Sequence, residues 1–364
     1  MAELMRSESN LKPSELKAAY KRSQHIDALL DKEREEREQE IQILTLGSGG
    51  SGKSTFIKQL KIVYDNGYSE QERMEFRPII YQNIYENICK IVLAVDREGL
   101  QFDNEDVKVF AEECITQSKN ECNNNGNSLF TPVGKTDLIT AFWQQPCVKE
   151  CFKKLTRYHI DETSQYFFAE IERIAKEDYI PESKDILRAR NRTQGVVEKN
   201  IKVNEYNYRV IDVEGQKSQR KKWIHFFDRV TAVVFFASLS SYDEVLEEDK
   251  SINAMRDNLD LFEEIVHCEY LAKTQFILFL NKQDLFKDKL DTSNLSDCFP
   301  DYNGGPDYEK ALFYVKEQFM MLIPPDKHIY VHVTCATDTD PMKTVLQNVF
   351  EILVEINLKK IAVL

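Results

Sequence analysis

Residues 47–55 read Gly47-Ser-Gly-Gly-Ser-Gly-Lys-Ser-Thr55, after the apolar run Ile41–Leu46 and before the helical-looking Phe56-Ile-Lys-Gln-Leu60. This is the phosphate-binding pattern G-x-x-x-x-G-K-[ST] in a strand–loop–helix setting. Gly47 and Gly52 let the backbone fold back, so that successive N–H groups at Gly50, Ser51 and Gly52 and the helix N-terminus converge on phosphate oxygens. Lys53 then reaches the β- and γ-phosphates, the Ser54 hydroxyl faces Mg²⁺, and Thr55 completes the first turn. A flexible Gly/Ser turn is the bland alternative, and it explains neither the Lys-Ser pair nor the flanks. The segment predicts a nucleoside triphosphate site, and with it an α/β fold.

The 364 residues exceed what one core comfortably serves, so two domains are expected. A net charge of −13 argues against a nucleic-acid partner, which needs a basic footprint. The eight cysteines form no C-x-x-C pair, and no secretory leader is evident, which predicts a reducing, cytoplasmic setting. No apolar run approaches the ~18 residues that span a bilayer; Val230–Ala237 reads as a strand.

Residues 11–40 are dense in Lys, Arg and Glu, with Ala19, Ile26 and Leu30 forming a thin apolar stripe on a long helix. A solvated helix or short coiled coil and a docking arm for a partner both fit. From Tyr68 to about Pro181 the periodicity is helical, as at Phe76–Val95, Val107–Gln117 and Gln165–Ile174. Strand patterns resume at Ile201–Val203 and Tyr208–Val213, joined by Asn204-Glu-Tyr-Asn207 as a hairpin turn, then at Ala232–Ala237, Phe276–Leu280 and Tyr330–Thr334. Helical segments between these runs give the alternation of a doubly wound, mostly parallel sheet with an all-helical domain inserted into it. Ligands in such sheets sit at the carboxyl ends of the strands.

The remaining motifs fall at those ends. Asn281-Lys-Gln-Asp284 follows a buried-strand pattern, and the Asp284 carboxylate can accept from guanine N1–H and N2–H₂, a donor pair adenine lacks. Thr334-Cys-Ala-Thr337 would present the Ala336 N–H to guanine O6. Asp212-Val-Glu-Gly-Gln216 ends another strand: Asp212 would hold Mg²⁺ through a water, the Gly215 N–H would meet the γ-phosphate, and Gln216 would orient the attacking water. Upstream lies Arg188-Ala-Arg-Asn-Arg-Thr-Gln-Gly195. Here Thr193 is placed to be the second protein ligand of Mg²⁺, and Arg190 to reach the transferring phosphoryl in cis. An exposed interdomain linker is the competing reading of this basic run, and the order of motifs along the chain weighs against it.

With these segments in view, the sequence resembles the α subunits of heterotrimeric G proteins over nearly its whole length. The carriers are the phosphate loop, the helical insertion, Asp185–Glu198, Asp212–Trp223, Asn281–Asp284 and Thr334–Thr337. The resemblance implies a Ras-like GTPase domain over 39–66 and 188–364, a helical domain over 67–187, and an N-terminal helix over 1–38 that docks on a βγ dimer. It further implies Mg²⁺ with GTP or GDP, and nucleotide contacts from Glu162, Thr163, Leu187, Arg188, Ala189, Asn191, Arg192, Lys282 and Cys335. Lys217–Trp223 would belong to a switch segment in which Arg220 pairs with Asp257. The C-terminal helix, Pro341–Leu364, would be read by a G protein-coupled receptor; the other partners are an effector and an RGS-type accelerating protein.

Several positions depart from the family pattern. Gly50 stands where an acid usually pairs with the cis arginine, which leaves Arg190 without that partner and predicts that Gly50→Glu slows GDP release. Glu214 replaces a glycine near the phosphates and is the candidate substitute partner. Gln194 replaces a Thr. Ala2 stands where myristoylation needs glycine, so attachment to the inner face of the plasma membrane is expected to come through partners. The expected function is a GTP-hydrolysing switch. The rivals are a guanine-nucleotide-binding scaffold with negligible turnover and, more remotely, a P-loop ATPase or kinase.

Overall fold

The computed structural model describes residues 20–29, 40–124, 130–191, 193 and 195–362. The expectations for Ala2, Ala19, Leu30, Arg192, Gln194 and the last two residues lie outside the described residues. Residues 20–29 are helical and exposed, Ile26 included, as a stripe too thin to make a core demands.

The strands are β1 (Ile41–Gly47), β2 (Val196–Val203), β3 (Tyr206–Val213), β4 (Ala232–Ser238), β5 (Gln275–Asn281) and β6 (Ile329–Val333). They form a single sheet in the order β2-β3-β1-β4-β5-β6, parallel throughout except for the antiparallel pair β2–β3. β4 is buried at every position, because helices cover both faces of a parallel sheet. Its alternate side chains divide between two cores. Val233, Phe235 and Ala237 join α10 (Ala254–Val266), α11 (Gln283–Lys289) and α12 (Tyr308–Met320). Ala232, Val234 and Phe236 join α1 (Lys53–Tyr64) and α13 (Thr339–Ala362). The C-terminal helix thus begins two residues before the expected Pro341.

β2 is longer than the expected Ile201–Val203. Its first half, Val196–Asn200, lies on the sheet edge with mostly exposed side chains, so no alternation marks it. The hairpin turn is also tighter than expected. Val203 pairs with Tyr206, leaving Asn204-Glu205 as a two-residue turn with Asn204 at φ 55°, a left-handed conformation that asparagine tolerates.

Between β1 and β2 the described residues contain no strand. After α1 come α2 (Glu70–Arg97), α3 (Glu105–Asn124), α4 (Thr136–Gln144), α5 (Pro146–Lys153), α6 (Leu155–Tyr158), α7 (Ser164–Ala169), α8 (Ile171–Ile174) and α9 (Ser183–Arg188). α2 opens with a capping box in which Ser69 and Glu72 exchange bonds. It carries Ile80, Ile84, Ile88 and Ile91 into a core built only from residues 80–189, with Phe142, Phe167 and Phe168 opposite. Ala189, beyond the expected 187/188 boundary, still packs into that helical core. Among the described residues no helix is long and apolar enough to cross a membrane.

Candidate functional site

The loop between β1 and α1, the ends of β3 and β5 and the loop after β6 all open at the carboxyl edge of the sheet, where unpaired backbone groups and short turns leave room for a ligand. α1 starts at Lys53 from Gly52, whose φ of 109° only glycine adopts readily. A Cβ at Gly52 would also lie 2.1 Å from Asn281 Nδ2. Lys53 Nζ donates to the carbonyls of Gly47 (2.9 Å) and Ser48 (2.8 Å), and the Ser51 hydroxyl to Ser48 O (2.9 Å). Burial pushes the Lys53 ammonium down to about 8, against the pull of Asp212. Ser54 and Thr55 sit half-buried in the first turn of α1, which holds no acid to repel an anion.

Three oxygen donors meet beside this turn. Ser54 Oγ is 2.7 Å from Thr193 Oγ1 and 3.0 Å from Asp212 Oδ2, and Thr193 Oγ1 is 3.4 Å from the same carboxylate oxygen. Thr45, opposite Asp212 in the β1–β3 register, takes Oδ1 at 2.9 Å and so fixes the carboxylate. Burial raises the Asp212 carboxyl, opposed by Lys53 and the three hydroxyls. Two hydroxyls and one carboxylate are hard donors in the small number Mg²⁺ takes from protein while keeping waters, so this set fits that ion. Among the described residues no group of three or more His, Cys, Asp or Glu side chains could hold a metal ion.

At the other end, Asn281 acts as a strut. Its Nδ2 donates to Ser51 O (2.9 Å), while its Oδ1 accepts from Ala336 N (2.9 Å) and Thr334 Oγ1 (3.1 Å). The Ala336 amide expected at guanine O6 is therefore already engaged, and a base could only share it. Asp284 is exposed at the start of α11, and the Cys335 thiol lies 3.2 Å from Thr337 Oγ1. Lys282, at φ 63°, is paired with Glu162 of the helical region. Burial alone would lower its ammonium, but Glu162 and Glu244 hold it above the usual lysine value.

The Gly215 backbone lies against the phosphate loop: a Cβ there would sit 2.4 Å from Lys53 Nζ. Gln216 is half-buried at the start of the 3-10 helix Lys217–Phe226. The expected Arg220–Asp257 pair is present and bidentate, at 3.0 and 2.5 Å, and both side chains are largely buried. Asp257→Asn should loosen this helix by about 2 kcal/mol, since it leaves the guanidinium without its charged partner. Hydrogen exchange of the 217–226 amides measures this, and unchanged protection would contradict it.

Around Arg190 the structure corrects two expectations. The guanidinium is not short of acid: Nη1 donates to Asp161 Oδ2 and Nη2 to Glu247 Oε1, each at 3.0 Å. Glu214 is not its partner; that carboxylate reaches toward Gly195 N (3.4 Å), and its carbonyl accepts the Trp223 indole N–H (2.9 Å). Gly50 sits at φ 73°, so Gly50→Glu would strain the loop as well as add a charge, and the predicted slowing of GDP release loses its basis.

The neighbouring linker is held from both sides. Lys58 of α1 donates to Ile186 O (2.9 Å) and Ala189 O (2.7 Å), with burial lowering its ammonium to about 8. Leu187 is buried, Arg188 lies 4.4 Å from the centre of the Tyr166 ring, and Asn191 is exposed. Thr163 directs its N–H and hydroxyl onto Asp161 Oδ1 (3.0 and 2.7 Å).

Thr45, Lys58, Asn83, Asn87, Asp161 and Glu247 escaped sequence reasoning. Only the asparagines left a signal: polar residues four apart on the isoleucine-bearing face of α2, both buried. Asn83 clamps the Arg190 backbone, accepting from N (2.7 Å) and donating to O (2.9 Å).

Comparison with known proteins agrees with this geometry. The family model described as G-protein alpha subunit matches residues 20–353. A guanine nucleotide-binding protein subunit alpha from Emericella nidulans is 39% identical over 347 residues, covering 95% of this chain and 97% of the relative. The guanine nucleotide-binding protein alpha-1 subunit of Mycosarcoma maydis is 39% identical over 344 residues, covering 94% and 96%.

Proposed function

We propose, since the chain belongs to the G-protein alpha subunit family, that it is a GTP-hydrolysing switch of a heterotrimeric G protein. The observation that carries this reading is the convergence of Lys53, Ser54, Thr193 and Asp212 on the phosphate side of a site whose other end is Asp284. Lys53 and the loop amides bind the β- and γ-phosphates. Ser54 and Thr193 would hold Mg²⁺, with Asp212 acting through a water, and the ion would supply neutralisation of phosphate charge. Gln216 orients the attacking water, and Arg190 stabilises charge that grows on the phosphoryl oxygens. Phosphoryl transfer needs positioning and electrostatics more than covalent help. Asp284 selects guanine, with Asn281 holding the base loop against the phosphate loop. The partners in this reading are a βγ dimer, a receptor, an effector and an accelerating protein, at the inner face of the plasma membrane.

A nucleotide-binding scaffold with little turnover is the second reading. It is favoured by Arg190 already carrying two carboxylates, which phosphate oxygens must outcompete. Single-turnover hydrolysis by GTP-loaded protein after Mg²⁺ addition decides between them: a measurable first-order release of phosphate is expected, and none would favour the scaffold. Competition by GDP but not ADP for the same site is expected to exclude the ATPase reading.

A further inference from the structure

We propose that Asp161 is the positioning residue of Arg190, a clasp that aims its guanidinium at the phosphate side of the nucleotide site. The proposal rests on the nucleotide-binding reading above and adds a device to it. One face of α2 sets the geometry. Asn83 fixes the Arg190 backbone at both its N–H and its C=O. One turn later, Asn87 donates to Asn83 O (2.8 Å) and accepts the Asp161 N–H (2.8 Å). The backbones of the two residues are thus held by a single helix, and their side chains meet at 3.0 Å.

The Asp161 carboxylate has no freedom to turn elsewhere. Oδ1 is occupied by the amide and hydroxyl of Thr163, so Oδ2 faces the guanidinium. Burial would raise this carboxyl, but Arg190 and Thr163 outweigh burial and keep it ionised. The next residue, Glu162, pairs with Lys282, which directly follows the strut Asn281. Two consecutive acids of the helical domain therefore grip the two ends of the site, Asp161 at the arginine and Glu162 at the base loop. Glu247 differs in kind: it lies after β4, in the same domain as the site, so its pair with Arg190 runs from that domain to a residue whose backbone α2 holds, whereas the Asp161 pair lies wholly on the helical side.

Asp161→Asn tests this cleanly, because the amide oxygen can still accept from Thr163 while the charge facing Arg190 is lost. GDP release, followed with a fluorescent GDP analogue, should speed roughly three- to ten-fold. In an Arg190→Gln background, Asp161→Asn should add nothing, an outcome that a merely structural role for Asp161 would not produce. Parental release from Asp161→Asn, or an equal acceleration in the Arg190→Gln background, would overturn the proposal. Hydrogen exchange without nucleotide supplies an independent arm. Asp161→Asn should speed exchange at 187–191 relative to the parent chain, and parental exchange would again overturn it. If the parent chain retains no guanine nucleotide while the exchange contrast holds, the functional reading fails and the clasp stands.

Discussion

Gln216→Leu should leave GTP bound and slow its hydrolysis by about two to three orders of magnitude, the scale on which removal of a preorganised polar group acts. In the proposed site the phosphates would be held by the loop amides and by Lys53, which is anchored on the carbonyls of Gly47 and Ser48 rather than on Gln216. Gln216 directly precedes the 3-10 helix, and its backbone carbonyl accepts from Gln219 N–H (2.9 Å), so the turn survives loss of the side-chain amide. Leucine cannot orient a water. The interaction removed is made chiefly in the transition state, so the rate falls and ground-state binding does not. Arg190→Cys should act in the same sense, since it also removes the partner that Asp161 positions. Single-turnover hydrolysis beside equilibrium GTP binding measures both. Parental hydrolysis by the Leu variant would remove Gln216 from the mechanism.

Asn281→Ala should cost about 3 kcal/mol of stability and lower GDP affinity roughly 100-fold. The side chain is buried and bonds three partners: Ser51 O of the phosphate loop, and Ala336 N and Thr334 Oγ1 of the base loop. Alanine leaves these groups unpaired in a place water does not easily reach, and it separates two loops that must face one ligand together. Asp284→Ala offers the contrast. Asp284 is exposed, so thermal stability should hold while the preference for GDP over ADP falls. Thermal melts and nucleotide titrations of the two variants test the distinction. Equal loss of stability in both would mean that Asn281 is not the strut the geometry describes.

Much of the site was legible because its chemistry is local. The phosphate loop needs glycines, a lysine and a hydroxyl within a few residues of one strand end, and no distant partner has to be known. The same holds for Asp212–Gln216 and Asn281–Asp284, each fixed to the carboxyl end of a strand whose apolar run announces it. Arg220 and Asp257 could be paired on the family resemblance. β2 was underestimated because an exposed edge strand carries no buried alternation, and its turn was read too long because Asn207 belongs to β3.

The sequence by itself determined the class of ligand, the doubly wound sheet and the helical insertion, since backbone geometry and apolar periodicity are written in short stretches. Only the tertiary structure decided who partners Arg190. Asp161 and Glu247 stand 29 and 57 residues away along the chain and reach it because two separately packed cores meet at the linker, with Asn83 and Asn87 of α2 holding the junction. Likewise, that Asn281 is a brace whose Oδ1 takes the Ala336 amide followed from the approach of β5 to β6. Such pairings depend on how finished elements pack against each other, and a charge or an amide in a sequence carries no mark of which distant group will come to lie 3 Å from it.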